Sequence, residues 1–188
     1  MASLMIHLLI AQEYCKKHKI DDVEAFLNGN LAPDLVPVKW PTHYSRTRTN
    51  KTHLESIVNK VDLPAFCAAN DISSDFNKGQ FLHLISDVVF FNNYLAHNEN
   101  YLAFDNENQL RIQNVLYRDY HRINDWLIKT HKDLRLDLIP EDMLDRRDDE
   151  MEIISKEAIA KIVEYCSDID LARAYKKYSA MSPGGPVR

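Results

Sequence analysis

The run "GQFLHLISDVVFF", residues 79 to 91, limits the fold more than any other stretch of this chain. At about 100° per residue, Phe81, Leu82, Leu84, Ile85, Val88, Val89, Phe90 and Phe91 cover nearly every direction around a helix. A helix that is apolar all round has to be a central one, wrapped by others. Two ionisable residues interrupt it. His83 and Asp87 are one turn apart and share a side with Gln80 and Tyr94. An isolated buried carboxylate is very costly, so Asp87 must be paired, hydrogen-bonded or metal-bound. The pair alone is accounted for equally well by a buried His–Asp hydrogen bond and by a metal ion.

Helical spacing also dominates the rest of the chain. It predicts a helix over 3–19, and a second one begun by Asp21 or Asp22 and ended near Gly29. Short helices fit 53–60 and 62–70, longer ones 78–97 and 108–132. Pro140 can open a short helix at its first position. Ser155 can cap 156–166, and a last helix fits 168–179. Three prolines make 30–51 irregular. The charged piece 141–152 reads as a solvated helix or connector. Only 4 glycines occur in 188 residues, which speaks against a turn-rich β fold. The expectation is an all-α fold, with a single domain over 1–180 and a flexible tail over 181–188.

A net charge of −5 gives no global attraction to nucleic acid or anionic lipid. Cys15, Cys67 and Cys166 form no CxxC pair and read as free thiols of a reducing compartment. The opening "MASLMIHLLIAQEYC" lacks a basic leader and is interrupted by His7, so it reads as a mature helix. No stretch approaches the roughly 18 apolar residues of a membrane span. A cytoplasmic protein is expected.

A second histidine sits in an apolar run: His7, among Leu4, Met5, Ile6, Leu8, Leu9 and Ile10. Two histidines and an acid in one core begin to suggest a site for zinc or a similar divalent ion. The irregular segment presents Asp34 in "APD" and His43 in "PTHY". Taken singly, each reads more simply as a turn cap and a surface residue. On 108–132, His121 and Asp125 fall opposite the apolar face of Ile112, Val115, Leu116, Ile123, Trp126 and Leu127, and read as a solvated pair. Asp119 falls on the apolar face, needs a cation, and is preferred as a ligand. His97 continues the side of His83 and Asp87 at a helix end. His18, His53 and His131 read as solvent-facing.

His7, "GNLAPD", "THY" and "FLHLISD" in this order resemble the zinc-dependent phospholipase C family, itself similar to the fungal single-strand-specific nucleases. The resemblance covers about the first half of the chain. It implies a multi-helix fold with metal ions at the base of a cleft and hydrolysis of phosphate esters. It further implies that Asp34, His43, His83 and Asp87 hold one ion. His7 would hold a second, shared through a bridging Asp87, and Asp34 doubles as general base. The sequence departs from the family where a histidine is expected six residues after the bridging aspartate, here Asn93, and where a tryptophan precedes the first histidine. One or two ions are therefore expected, most simply zinc, with iron, manganese or nickel as alternatives. Asp119 or His97 would complete a shell.

The expected function is a metal-dependent phosphoesterase acting on a small phosphate ester; Arg46, Arg48 and Lys51, just after His43, could neutralise the phosphate, though by themselves they read more simply as a solvated basic loop. Tyr94 and Trp40 could line the cleft or simply be core. Two other readings stand beside it: a non-catalytic protein with a structural ion, and a helical interaction module with a buried polar network and no metal.

Overall fold

A computed structural model describes residues 3–45, 60–103 and 109–184; the side chains of Trp40 and of 109–113 are outside the description. The expected helix over 53–60, and Arg46, Arg48, Lys51 and His53, lie outside the described residues. Among those residues the molecule is helical, with one isolated antiparallel bridge between Ser45 and Val61. No described helix is long and apolar enough to cross a membrane.

The first helices are α1 (Leu4–Lys17), α2 (Val23–Leu31), the short α3 (Lys39–Thr42) and α4 (Leu63–Ala69). Next come α5 (Asp75–Val88) and the short α6 (Glu99–Leu102), followed by α7 (Gln109–Thr130), α8 (Lys156–Ser167) and α9 (Leu171–Ser179). Local chemistry explains most starts. Ser3, Asp22, Asp62, Ser74, Asn98, Ser155 and Asp170 each accept a backbone N–H from the first turn that follows. The region 30–51 is not wholly irregular in its described part. A 3-10 turn spans Ala32–Asp34 with Pro33 in its first turn, and α3 follows. Pro140 precedes a 3-10 turn, Glu141–Met143, rather than occupying its first position. Residues 145–152 form a connector without helix or strand.

The run that opened the sequence reading is central. Phe81, Leu82, His83, Leu84 and Asp87 of α5 are fully or almost fully buried. The helix is not continuous over 78–97 as its spacing suggests. It starts earlier, at the Ser74 cap, and after Val88 widens into a π-helical turn, Val89–Tyr94, before a 3-10 turn, Leu95–His97. Such π turns recur near functional sites because they reset the register of the side chains that follow. Here the change leaves Asn93 and His97 exposed, while Phe90, Phe91 and Leu95 stay in the core.

Gly29 does not end α2, which runs on to Leu31. Its role is close approach. A Cβ on Gly29 would lie 2.0 Å from the Phe76 carbonyl oxygen, and one on Gly79 would lie 2.0 Å from that of Phe26. The two helices thus touch backbone to backbone, each through a glycine of its own. They run parallel in a fixed register. The Asp75 carboxylate accepts the Asp22 N–H, and two turns further along the Asn30 carbonyl accepts from His83 Nδ1, both at 2.7 Å.

Candidate metal centre

Five ionisable side chains from three parts of the chain converge in the interior. His7 comes from α1; His83 and Asp87 come from α5; Asp34 and His43 come from the turns between α2 and α4. None is more than 2% exposed. The ligand atoms of His7, His83 and Asp87 lie within 4.8 Å of one another, and so do those of Asp34, His43 and His83. His83 belongs to both groups, and Asp87 faces both as well, with Oδ1 3.4 Å from His7 Nε2 and Oδ2 3.6 Å from His43 Nε2.

Hydrogen bonds fix which ring nitrogen faces the cluster. His83 Nδ1 is 2.7 Å from the Asn30 carbonyl and His43 Nδ1 is 2.8 Å from the Lys39 carbonyl. A carbonyl only accepts, so both Nδ1 atoms carry protons. Ser86 Oγ donates to the His83 carbonyl at 2.7 Å, and therefore accepts from His7 Nδ1 at 2.9 Å. With the proton on Nδ1, all three Nε2 atoms face the cluster; in known metal sites too, the hydrogen bond at one ring nitrogen sets which way the other points.

These lone pairs find no proton donor in one another. His83 Nε2 and His43 Nε2 are 3.1 Å apart. His7 Nε2 makes no hydrogen bond, and Asp87 Oδ1 lies 3.4 Å from it. His43 Nε2 is 3.4 Å from Asp34 Oδ1 and 3.6 Å from Asp87 Oδ2. Two donors about 2.1 Å from one ion and about 90–109° apart are separated by about 3.0–3.4 Å. The 3.1 and 3.4 Å separations fall in that range, and the 3.6 Å one lies just beyond it. Burial pushes the His83 imidazole down to about 3, which keeps that ring neutral. Burial also raises Asp34, but the neighbouring imidazoles, His43 first, outweigh it and hold that carboxyl below the usual range. The Asp87 carboxyl is likewise held well below that range despite its burial, by the positive amino terminus and then by His7 and His83. Two enclosed carboxylates need positive charge beside them, and a cation is one source of it.

Other side chains hold the ligands in place. Tyr44, next to His43, has φ +48°, a conformation uncommon for a residue with a side chain. It is held there on three sides. Its hydroxyl accepts from Asn70 Nδ2 at 2.7 Å, its ring meets Phe66 edge to face, and its carbonyl accepts the Asp62 N–H. Lys39 lies at the rim, with Nζ 3.3 Å from Asp34 Oδ1. Reading the sequence missed Ser86, Asn30, Lys39 and Tyr44. The available signals were weak: Ser86 adjoins Asp87, and Lys39 is one helical turn before His43. Removing the Ser86 hydroxyl frees His7 to turn or change tautomer. Ser86→Ala is expected to weaken metal binding by about 10–100-fold, measured by competition with a chromogenic chelator, with little loss of fold.

The other expected ligands are elsewhere. Asp119 is buried, but it serves α7 and the connector. Its oxygens accept from Arg122 at 2.9 Å and from the backbone N–H groups of Glu152, Ile153 and Ile154 at 2.7–2.9 Å. The cation that the apolar face demanded is Arg122. Asp119→Asn is therefore expected to cost about 2 kcal/mol in urea denaturation and to leave metal content unchanged. His97 is exposed at the end of its 3-10 turn. Tyr94 spends its hydroxyl on Ile153, Asn98 and Ser155, a structural use.

Asp125 is not solvated. It is 7% exposed and is held by Arg146 at 2.6 Å and by Lys129, because the connector folds back over the polar face of α7. His121 is partly covered and lies 3.7 Å from Asp145. His18 is half-buried as well, stacking on Tyr14 and bonding to the Ser167 carbonyl. The fold and the site define a helical protein with a buried His/Asp cluster suited to a divalent ion. Comparison with family models, curated proteins and solved structures finds no match.

Proposed function

We propose that this protein is a metal-dependent hydrolase of phosphate esters, built on the cluster of His7, Asp34, His43, His83 and Asp87. The observation that carries the reading is the inward convergence of three Nε2 atoms and two carboxylates with His83 and His43 Nε2 3.1 Å apart. The order of these residues, which resembles the zinc-dependent phospholipase C family, supports phosphate esters as the substrate class.

The donor count bears on chemistry. Each Nε2 has one lone pair and serves one ion, while each carboxylate can bridge two. Five residues around a single ion fill its coordination. The same five shared between two ions leave positions for water and substrate. A divalent ion bound there supplies a Lewis acid that makes water a nucleophile near neutral pH. Asp34, buried beside the half-exposed Lys39, would be the residue to hold the proton released in that chemistry. Asp87, at the centre, holds its carboxylate against His7, His43 and His83. Ser86 and the Asn30 and Lys39 carbonyls hold the Nδ1 protons and so turn the Nε2 atoms inward.

The complete burial of the ligands favours one alternative, a closed structural ion. Metal stoichiometry and turnover separate the two. Protein purified without added metal or chelator is expected to carry one or two equivalents of zinc or a similar ion. It should also hydrolyse bis-p-nitrophenyl phosphate or p-nitrophenyl phosphate. One equivalent with no hydrolysis of either ester would establish the structural ion instead. Protein that takes up no ion would leave only a buried polar network.

A further inference from the structure

We infer that Lys39 is the anchor for an anionic phosphate group at the mouth of the metal centre. The inference rests on the reading of the cluster as a metal site. Its ammonium lies 3.3 Å from Asp34 Oδ1, yet the side chain is 37% exposed, while that of Asp34 is 3% exposed. Lys39 thus reaches from solvent to the buried ligands. Its flanks are open: Pro37, Val38 and Pro41 are exposed. The residue is also rigidly based. Its carbonyl accepts from His43 Nδ1 and from Thr42 Oγ1, and Pro37 and Pro41 restrict the backbone on either side.

Charge arithmetic gives Lys39 its role. Asp34 and Asp87 together carry −2, and one divalent ion cancels that charge. The Lys39 ammonium then loses its balancing partner and remains beside a neutral centre. With two ions the excess of positive charge is larger. An anion entering past the Pro37–Pro41 edge meets that ammonium before it meets the buried ligands. Phosphate oxygens accept charge-assisted hydrogen bonds from such a group. The substrate class that fits is an ester carrying an exposed, fully charged phosphate, so a monoester or a free phosphate product should bind more tightly than a neutral triester.

The test uses full-length protein with its bound metal, freed of excess ion by gel filtration. Inorganic phosphate is titrated in and followed by phosphorus NMR and calorimetry, and metal content is measured in parallel. Lys39→Gln is expected to keep its metal and weaken phosphate binding about tenfold or more. Lys39→Arg should stay within about threefold of wild type. The Lys39 carbonyl that orients His43 belongs to the backbone and survives both changes. Retained metal with unaltered phosphate affinity in Lys39→Gln would overturn the assignment alone, as would a loss of thermal stability without a change in affinity. Wild-type protein that binds no metal would overturn the reading of the centre together with it.

Discussion

Replacing Gly79 with alanine is expected to cost about 4 kcal/mol of stability and to disorder the buried His/Asp cluster. Overpacking a core usually costs about 1–3 kcal/mol, because neighbouring side chains can move aside. Here the obstacles are backbone atoms. The added methyl would sit 2.0 Å from the Phe26 carbonyl oxygen and 2.8 Å from the Asn30 nitrogen. Neither can rotate away, so α2 and α5 must part by more than about 1 Å, a scale of disruption that marks the upper tail of single substitutions. The separation reaches the site through Asn30, whose carbonyl fixes His83 Nδ1 at 2.7 Å. A domain of this kind is stable by about 5–15 kcal/mol, so the loss is a large fraction. Urea denaturation should show a lowered midpoint with an unchanged slope, and bound metal should fall with it. A midpoint within about 0.5 kcal/mol of wild type would mean that the helices do not touch at this glycine.

Asp87→Asn is the second large effect expected. The substitution keeps shape and volume but removes the charge that lies against three imidazoles, at 3.4–3.8 Å from their Nε2 atoms. Metal bound at about a thousand times its dissociation constant stabilises the folded state by about 4 kcal/mol. For a chain of this length that corresponds to a shift in Tm of about 8–16 °C. Wild-type protein should therefore lose about 10 °C on treatment with a strong chelator. The asparagine variant should start near that lower value and ignore the chelator. Because the imidazoles must be neutral to bind an ion, the chelator-sensitive part should shrink as pH falls. Indifference of the wild-type Tm to chelation would mean that the five side chains satisfy one another without metal.

Parts of this architecture were legible in the chain. The central position of α5 followed from apolar residues in every direction around one helix. The helix starts at Asp22 and Ser155 followed from cap chemistry, which is local. His7, His83 and Asp87 stood out because an ionisable group inside an apolar run needs a partner. Asp34 and His43 were legible only through their order with the other three, since nothing around them in sequence shows burial.

What the periodicity of α7 left undecided was the identity of the partners. It placed Asp119 inside correctly and demanded a cation. It could not say that Arg122, one turn on, and three N–H groups from residues 152–154 would supply the need. It also placed Asp125 outside, because a helical wheel does not know that the connector returns over that face.

By itself, then, the sequence determined a helical protein with a central buried helix and five residues of metal-ligating type. Burial pattern and capping are properties of neighbours along the chain. The tertiary structure alone decided that those five meet, that the Nε2 atoms of the three histidines face inward, and that Gly29 and Gly79 bring α2 against α5 to set His83. These depend on contacts between residues tens of positions apart, such as His7 with Ser86 and Asn30 with His83. Such pairings are fixed by how helices pack, and no local pattern encodes them.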